Sequence, residues 1–122
     1  MAKIDDVMQE FASNVDEIVM STIVSLEDGT PLTGFTTDES LDITVPVAFL
    51  ADVMRRGIMA ADNAALGKCE DLLLTTSEYF AIMRVIPETN YSHIVVLTKK
   101  GNWGVTKVLM AKFAPRFKEV LP

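Results

Sequence analysis

The residue types that most often carry catalysis or metal binding are scarce in this chain of 122 residues. There is one histidine, His93, and one cysteine, Cys69. A protein metal site needs several ligands at workable spacing, and the chain offers no second imidazole or thiol. No serine stands in the Gly-x-Ser-x-Gly elbow that would activate it for acyl transfer. We therefore expect His93 to be a strand residue satisfied by hydrogen bonds rather than a ligand or a general base.

Cys69 is followed by Glu70 and Asp71, whose negative charge raises the pKa of a thiol and disfavours the reactive thiolate. The glycine-containing segment 101–104 is too short for a phosphate-binding loop. The sequence thus predicts no catalytic residue, no cofactor and no metal. The remaining carboxylate pairs fall at predicted turns and element ends, where solvation explains them: Asp5-Asp6, Glu27-Asp28 and Asp38-Glu39.

The segment 46–68 is the stretch that points to function. Plotted as a helix, its apolar arc covers roughly 180°, whereas a helix lying on one core needs about 100°. The surplus must be buried against another surface, and small residues would let a second backbone approach closely. We predict that the following residues form the interface of a homodimer: Leu50, Val53, Met54, Gly57, Ile58 and Ala61, with Leu72 and Leu74 of the next strand.

The opposite side of the same helix is polar but carries an isolated methionine. One interpretation is a solvated face, in which the arginines pair with neighbouring aspartates. The other is a contact surface for a partner protein, since Arg and Met are enriched at interfaces. The residues of this predicted partner surface are Asp52, Arg55, Arg56, Met59 and Asn63.

Composition narrows the class of partner. The formal net charge is −6, which argues against nucleic acid and against an anionic membrane surface. The hydrophobic fraction of 49% is high for a small soluble domain and favours an oligomer. A single cysteine suits a reducing compartment, and the acidic N-terminus is unlike a signal peptide. No apolar run approaches the ~18 residues of a membrane span, so we expect a cytoplasmic protein.

Periodicity predicts a single α+β domain over residues 1–122, with a five-stranded antiparallel sheet flanked by helices. The long helix should cover one sheet face and the two terminal helices the other. In detail, Ile18 should share a face with Met20, Gly67 should cap the long helix, and Pro115 should kink or restart the last helix. The predicted order αββαβββα comprises helix 3–13, strands 17–26 and 32–37, helix 46–68, strands 69–76, 78–87 and 91–98, and helix 103–120.

Three features together resemble the Roadblock/dynein light chain family over nearly the whole chain. They are the strand and turn of residues 23–32 with its Asp28-Gly29, the small-residue-rich middle helix, and Gly101-Asn102-Trp103-Gly104 leading into the last helix. The resemblance implies a homodimer in which the middle helices pack together and the third strands join two sheets into one. It also implies scaffolding or regulation of small GTPases and motor complexes, without catalytic residues of its own. Similar prokaryotic members include a partner of a Ras-like GTPase that stimulates GTP hydrolysis.

Three functions therefore remain open. The first is a non-catalytic homodimeric module that binds and regulates a small Ras-like GTPase. The second is a scaffold subunit of a larger motor or signalling complex, with no effect on nucleotide turnover. The third is a small-molecule sensor domain, which would need a polar-lined cavity.

Overall fold

A computed structural model describes residues 3–40 and 42–122 of the chain. The elements follow one another in the predicted order αββαβββα. Their bounds are α1 Ile4–Ser13, β1 Ile18–Ser25, β2 Pro31–Thr36, α2 Thr44–Asn63, β3 Asp71–Thr75, β4 Tyr79–Val85, β5 Tyr91–Thr98 and α3 Trp103–Glu119.

The strands form one sheet in the order β2-β1-β5-β4-β3, and each neighbouring pair is antiparallel. This confirms the predicted α+β fold with a five-stranded antiparallel sheet. Helix α2 lies against β1, β3, β4 and β5 on one face, whereas α1 lies against β1 and β2, and α3 against β4. Two separate clusters of buried side chains result, one on each face of the sheet. The two sheet edges are formed by β2 and β3.

One prediction about β1 is wrong because the strand is not regular. The pairing of β1 with β5 shifts between Ile18 and Met20, which is the mark of a β-bulge. A bulge inserts one residue and moves the following side chains to the other face. Ile18 accordingly packs on the cluster under α1 and α3, while Met20 belongs to the cluster under α2.

The predicted end of α2 is also wrong. The helix ends at Asn63, and its carbonyl groups are capped through Ala65 rather than Gly67. Ala65 has a φ of 57° and donates its N–H to the backbone carbonyl of Asp62, while the Leu66 N–H donates to the Ala61 carbonyl. These two bonds are the Schellman arrangement, which usually places glycine at the left-handed position.

Pro115 does not end or restart α3, so that part of the prediction is wrong. The helix runs continuously through Trp103–Glu119 with Pro115 inside it. A proline removes one helical hydrogen bond. Pro115 is exposed, whereas Ala114 and Phe117 beside it are buried in the core. Packing of these neighbours holds the helix on the sheet.

Candidate functional site: the two flanks of helix α2

Helix α2 has two flanks of opposite character, because side chains 3 or 4 positions apart share a side of a helix. Val47, Ala51 and Met54 are buried against the sheet between them. The β3 flank faces the edge strand and consists of Phe49, Leu50, Val53, Gly57, Ala60 and Ala61, with Leu72 and Leu74 of β3. The polar flank consists of Asp52, Arg55, Arg56, Met59 and Asn63.

The β3 flank leaves large apolar side chains in contact with solvent. Phe49 is 70% exposed, and Val53 and Leu74 are each 39% exposed. Leu74 lies on the α2 side of the sheet, since Leu72 pairs with the buried Met83 and alternate strand residues share a face. Among the residues described, β3 pairs with β4 alone, so its outer edge offers unpaired backbone groups.

Gly57, which was predicted for the dimer interface, makes a close contact within the chain. A β-carbon at this position would overlap Leu72 Cδ1, so the missing side chain admits the chain's own edge strand. Leu72 is half-buried beneath the helix as a result. The other small residues of this flank are Ala60, which is exposed, and Ala61, which is half-buried.

Two residues predicted for the dimer interface lie outside the β3 flank. Met54 is fully buried within the chain, in the cluster between α2 and the sheet, and presents no surface to a partner. Ile58 packs on the same cluster and borders a cleft on the far side of the helix. The other six predicted residues do lie on the β3 flank: Leu50, Val53, Gly57, Ala61, Leu72 and Leu74.

Phe49 and Ala60 also belong to this surface, although they were not among the residues predicted for the dimer interface. Both are exposed, and they lie four before and seven after Val53, a spacing that places them on its side of the helix. The signal was present in the apolar arc. It could not be read without knowing which part of the arc the sheet covers.

The polar flank is organised around Asp52. Arg56 Nε donates to Asp52 Oδ2 at 3.0 Å, and Arg55 Nη2 lies 3.5 Å from Asp52 Oδ1. The hydrogen bond from Arg56 is the main reason that the pKa of Asp52 lies below its ordinary value. Arg55 also donates to the carbonyl of Leu26, at 3.1 Å, and so ties α2 to the end of β1.

The two arginines consequently differ in availability. Arg55 is 33% exposed and has a partner in the fold, whereas the Arg56 side chain is 78% exposed. Met59 is 60% exposed and Asn63 is exposed at the end of the helix. The exposed part of the polar flank is therefore centred on Arg56, Met59 and Asn63.

A cleft of about 530 Å³ adjoins the polar flank. It lies between the C-terminal half of α2, the segment leading to β3, and the turn between β4 and β5. Its apolar part is lined by Leu26, Ile58 and Val85, and exposed Met59, Asp62 and Lys68 stand around it. This volume lies within the range of small-molecule sites.

The chain's histidine is enclosed in the core under α1 and α3. His93 Nε2 lies 2.8 Å from Ser21 Oγ, and the rings of Phe11 and Phe117 meet the imidazole edge-on. Burial lowers the pKa of His93 to about 3. His93 is 2% exposed and Ser21 fully buried, so no substrate reaches this pair. The expected hydrogen-bonded strand histidine is confirmed.

Other chemistry is not assembled in the described ranges. Burial and the charge of Asp71 raise the pKa of the half-buried Cys69 thiol. Within residues 3–40 and 42–122, no three His, Cys, Asp or Glu side chains are clustered as a metal ion would require. In the same ranges no helix combines the length and apolar character needed to cross a bilayer.

Comparison with known proteins finds solved structures that share this architecture. No family model and no curated protein matches the sequence. Among solved structures, a Roadblock/LC7 domain from Streptomyces avermitilis matches with a TM-score of 0.84 at 13% identity, over 97% of each chain. MglB from Myxococcus xanthus matches with a TM-score of 0.83 at 10% identity, over 96% of this chain and 93% of that one. The gliding protein MglB from Thermus thermophilus matches with a TM-score of 0.80 at 8% identity, over 96% and 87%.

The chain therefore has the Roadblock/LC7 fold. Its structural neighbours are prokaryotic Roadblock/LC7 and MglB proteins, so the resemblance stated from the sequence is confirmed at the level of the fold. Identities this low define the architecture, and function must be argued from the surfaces of α2.

Proposed function

We propose that this chain is a non-catalytic homodimeric module that binds and regulates a small Ras-like GTPase, by stimulating GTP hydrolysis on that partner. The observation that carries the proposal is the continuity of the apolar β3 flank with an unpaired strand edge. Phe49, Val53 and Leu74 are all exposed on the β3 flank. An exposed apolar patch on a small domain marks an interaction site.

A second copy completes that surface in the simplest way. Antiparallel pairing of two β3 edges about a two-fold axis joins the sheets and brings the two β3 flanks together, which is a self-complementary interface. The strand edge supplies backbone hydrogen bonds, and Ala60 and Ala61 leave room for the facing helix. A stable dimer of this kind buries on the order of 1,600 Å².

The polar flank then remains on the outside of the dimer. Arg56 is exposed and held in place by Asp52, and Met59 beside it is an adaptable apolar contact. Arg and Met are typical of interface centres. The resemblance to Roadblock proteins that act on small GTPases, together with the shared fold of the gliding protein MglB, supports a GTPase as the partner.

Two measurements test the proposal separately. Light scattering of the purified chain should give twice the chain mass at micromolar concentration, and a monomer would overturn the dimer. GTP turnover by a small Ras-like GTPase encoded beside this chain should rise when the dimer is added. No binding in either nucleotide state, and no change in turnover or exchange, would overturn the regulatory function.

Two other functions use the same structure. A scaffold subunit would bind its partner through the polar flank and leave nucleotide turnover unchanged. A sensor would use the cleft of about 530 Å³ beside Met59, and a small-molecule library would then raise the melting temperature of the chain alone. The single cysteine fits a reducing, cytoplasmic location for all three.

A further inference from the structure

The formal charge of the chain is strongly divided along its length. Residues 89–122 carry six lysines and arginines against one acidic residue, a net of +5. The whole chain has −6, so residues 1–88 hold −11. The six cations lie in α3 and the segment leading into it: Lys99, Lys100, Lys107, Lys112, Arg116 and Lys118.

Helix α3 combines this charge with an apolar outward surface. Its inward side, which includes Met110 and Phe117, is buried against the sheet and α1. Val105 is 56% exposed and Val108 is 59% exposed on the other side. We call this surface the α3 outer face, and its exposed residues, spaced three or four apart, are Val105, Val108, Ala111, Lys112 and Pro115.

Half of the six cations are already paired within the chain. Lys107 pairs with Asp71, Arg116 with Glu10, and Lys118 with Glu88. Lys99 donates to the Thr76 carbonyl and lies over the Phe80 ring. Lys100 and Lys112 are exposed, and no carboxylate of residues 3–40 or 42–122 lies within ion-pair distance of either. Lys112 thus gives the α3 outer face a positive charge without an internal counter-charge, and Lys100 adds a second such charge just before the helix.

We infer that the α3 outer face docks an amphipathic helix of another protein whose apolar stripe is flanked by carboxylates. The exposed stripe from Val105 to Pro115 spans about 15 Å, or three helical turns, which suits one short helix. Lys100 precedes α3 and Lys112 lies towards its C-terminal end, so acidic residues along the incoming helix meet a cation near either end. Small Ala111 permits close helix packing in between.

Charge decides between this occupant and two others. The attraction of a lysine to an anionic membrane surface is worth about 1 kcal/mol. The same surface would repel the net charge of −11 on residues 1–88. Interfacial helices also insert Trp, Phe and Leu rather than two valines. In a two-fold contact of α3 with its own copy, lysine would face lysine. A second copy could bring its acidic half to α3 only in a head-to-tail contact, which is not the two-fold arrangement that most homo-oligomers adopt. Because α3 and α2 cover opposite faces of the sheet, this partner does not compete with one on the polar flank.

A labelled peptide provides the test. The probe is a stapled, fluorescein-labelled helical peptide of roughly 18 residues with a leucine stripe flanked by glutamates, long enough for five turns. Its control has lysine at every glutamate. The fluorescence anisotropy of the glutamate peptide should rise on addition of the chain in a saturable, salt-sensitive way, and that of the lysine peptide should not.

Variants locate the binding. K100E/K112E should weaken the affinity for the peptide at least tenfold, and V105S/V108S should weaken it severalfold. The matched control R56E/K68E makes the same charge change at two exposed cations on the other side of the sheet, and it should leave the affinity within twofold. Circular dichroism verifies that each variant keeps its helices.

Three results would overturn the inference. The first is co-sedimentation of the chain with phosphatidylglycerol vesicles while neither peptide binds, which assigns the face to lipid. The second is self-association in light scattering that K100E/K112E abolishes, which assigns it to a second copy. The third is the absence of a saturable rise in anisotropy with the glutamate peptide, or an equal loss of affinity in R56E/K68E.

Discussion

Gly57 of α2 and Leu72 of β3 approach so closely that a β-carbon on the glycine would overlap the leucine side chain. The Cγ and Cδ2 atoms of Leu72 would lie 3.1 and 3.3 Å from that carbon, and Cδ1 nearer still. Since all three atoms belong to one side chain, Leu72 as a whole would have to move. The pair therefore determines how α2 sits on the edge strand that we propose for dimerisation.

Alanine at position 57 tests this relationship. Replacing glycine inside a helix by alanine normally stabilises a protein by about 1 kcal/mol. We expect G57A to lose this gain, because the new methyl displaces Leu72. In the matched control G104A, the β-carbon meets only Asn102 Oδ1 at 3.4 Å, and stability should rise. Urea unfolding measures both.

A double-mutant cycle identifies the cause. In the L72A background the space above β3 is empty, so G57A should become stabilising there by about 0.5–1 kcal/mol. If G57A stabilises the parent chain as much as G104A does, the close contact with Leu72 is wrong.

Val53 and Met54 are neighbours in sequence and were both predicted for the dimer interface, but they should respond differently to a charge. V53D should convert the dimer to a folded monomer, because Val53 is exposed in the single chain and the carboxylate would be buried only in the dimer. M54D should prevent folding, because Met54 is buried in either state. Light scattering and circular dichroism separate the two results.

N63D is the control for these variants, since it introduces the same charge at an exposed position of the polar flank. It should change neither mass nor helix content. A V53D protein that remains dimeric would show that the β3 flank is not the interface.

His93 should make the fold sensitive to acid. Its pKa is about 3 when folded, against an ordinary value of 6.5, because burial disfavours the charged ring. Below pH 6.5 the unfolded chain takes up a proton that the folded chain does not, so stability is lost as the pH falls towards 3. The loss from this residue approaches about 1.4 kcal/mol per pH unit.

Removal of the titrating ring isolates this contribution. S21A and S21A/H93F both lack the Ser21–His93 hydrogen bond, but only the first retains the imidazole. Urea unfolding from pH 7 to pH 4 should show a steeper loss of stability for S21A than for S21A/H93F. Equal slopes would mean that His93 is protonated in the folded core.

Local signals predicted the fold, and tertiary contacts produced the errors. The bounds of β5, Tyr91–Thr98, were predicted to the residue because apolar residues and flanking turns mark the strand directly. The Asn102 cap of α3 is equally local, and its side chain accepts from the Val105 N–H. By contrast, the face of Ile18 depends on a bulge in its pairing with another strand.

The site was harder to predict for the same reason. Gly57 looked like a helix–helix contact, because small residues permit any close approach and the sequence does not say by what. Arg55 and Arg56 looked equivalent, because the Leu26 carbonyl that binds one of them lies 29 positions away in the chain. The side chains available to a partner are those that are not already engaged in contacts within the chain.

Ala65 offers a stabilising change at the end of α2. Its φ of 57° lies in the left-handed region, which costs a residue with a β-carbon about 1 kcal/mol. A65G should therefore raise the free energy of unfolding by about 0.5–1 kcal/mol, less the extra entropy that glycine gives the unfolded chain. A64G should lower it, because Ala64 has an ordinary φ of −85°. Thermal unfolding of both variants measures the difference, and a stabilising A64G would contradict it.

Arg55 and Arg56 should separate folding from partner binding. R55A should cost about 1–2 kcal/mol of stability, because the buried Leu26 carbonyl loses a charged donor at 3.1 Å. R56E should change stability by less than about 0.5 kcal/mol, since Arg56 is largely exposed and its pairing with Asp52 lies at the surface.

R56E should nevertheless weaken binding to the GTPase about tenfold, while the mass of the dimer stays the same. The charge-conserving R56K should keep most of the affinity if the charge attracts the partner, and lose it if the planar guanidinium is recognised. Unfolding, light scattering and a binding titration on the same preparations decide each point, and an R56E chain that dissociates to monomers would place Arg56 in the dimer interface instead of on the partner surface.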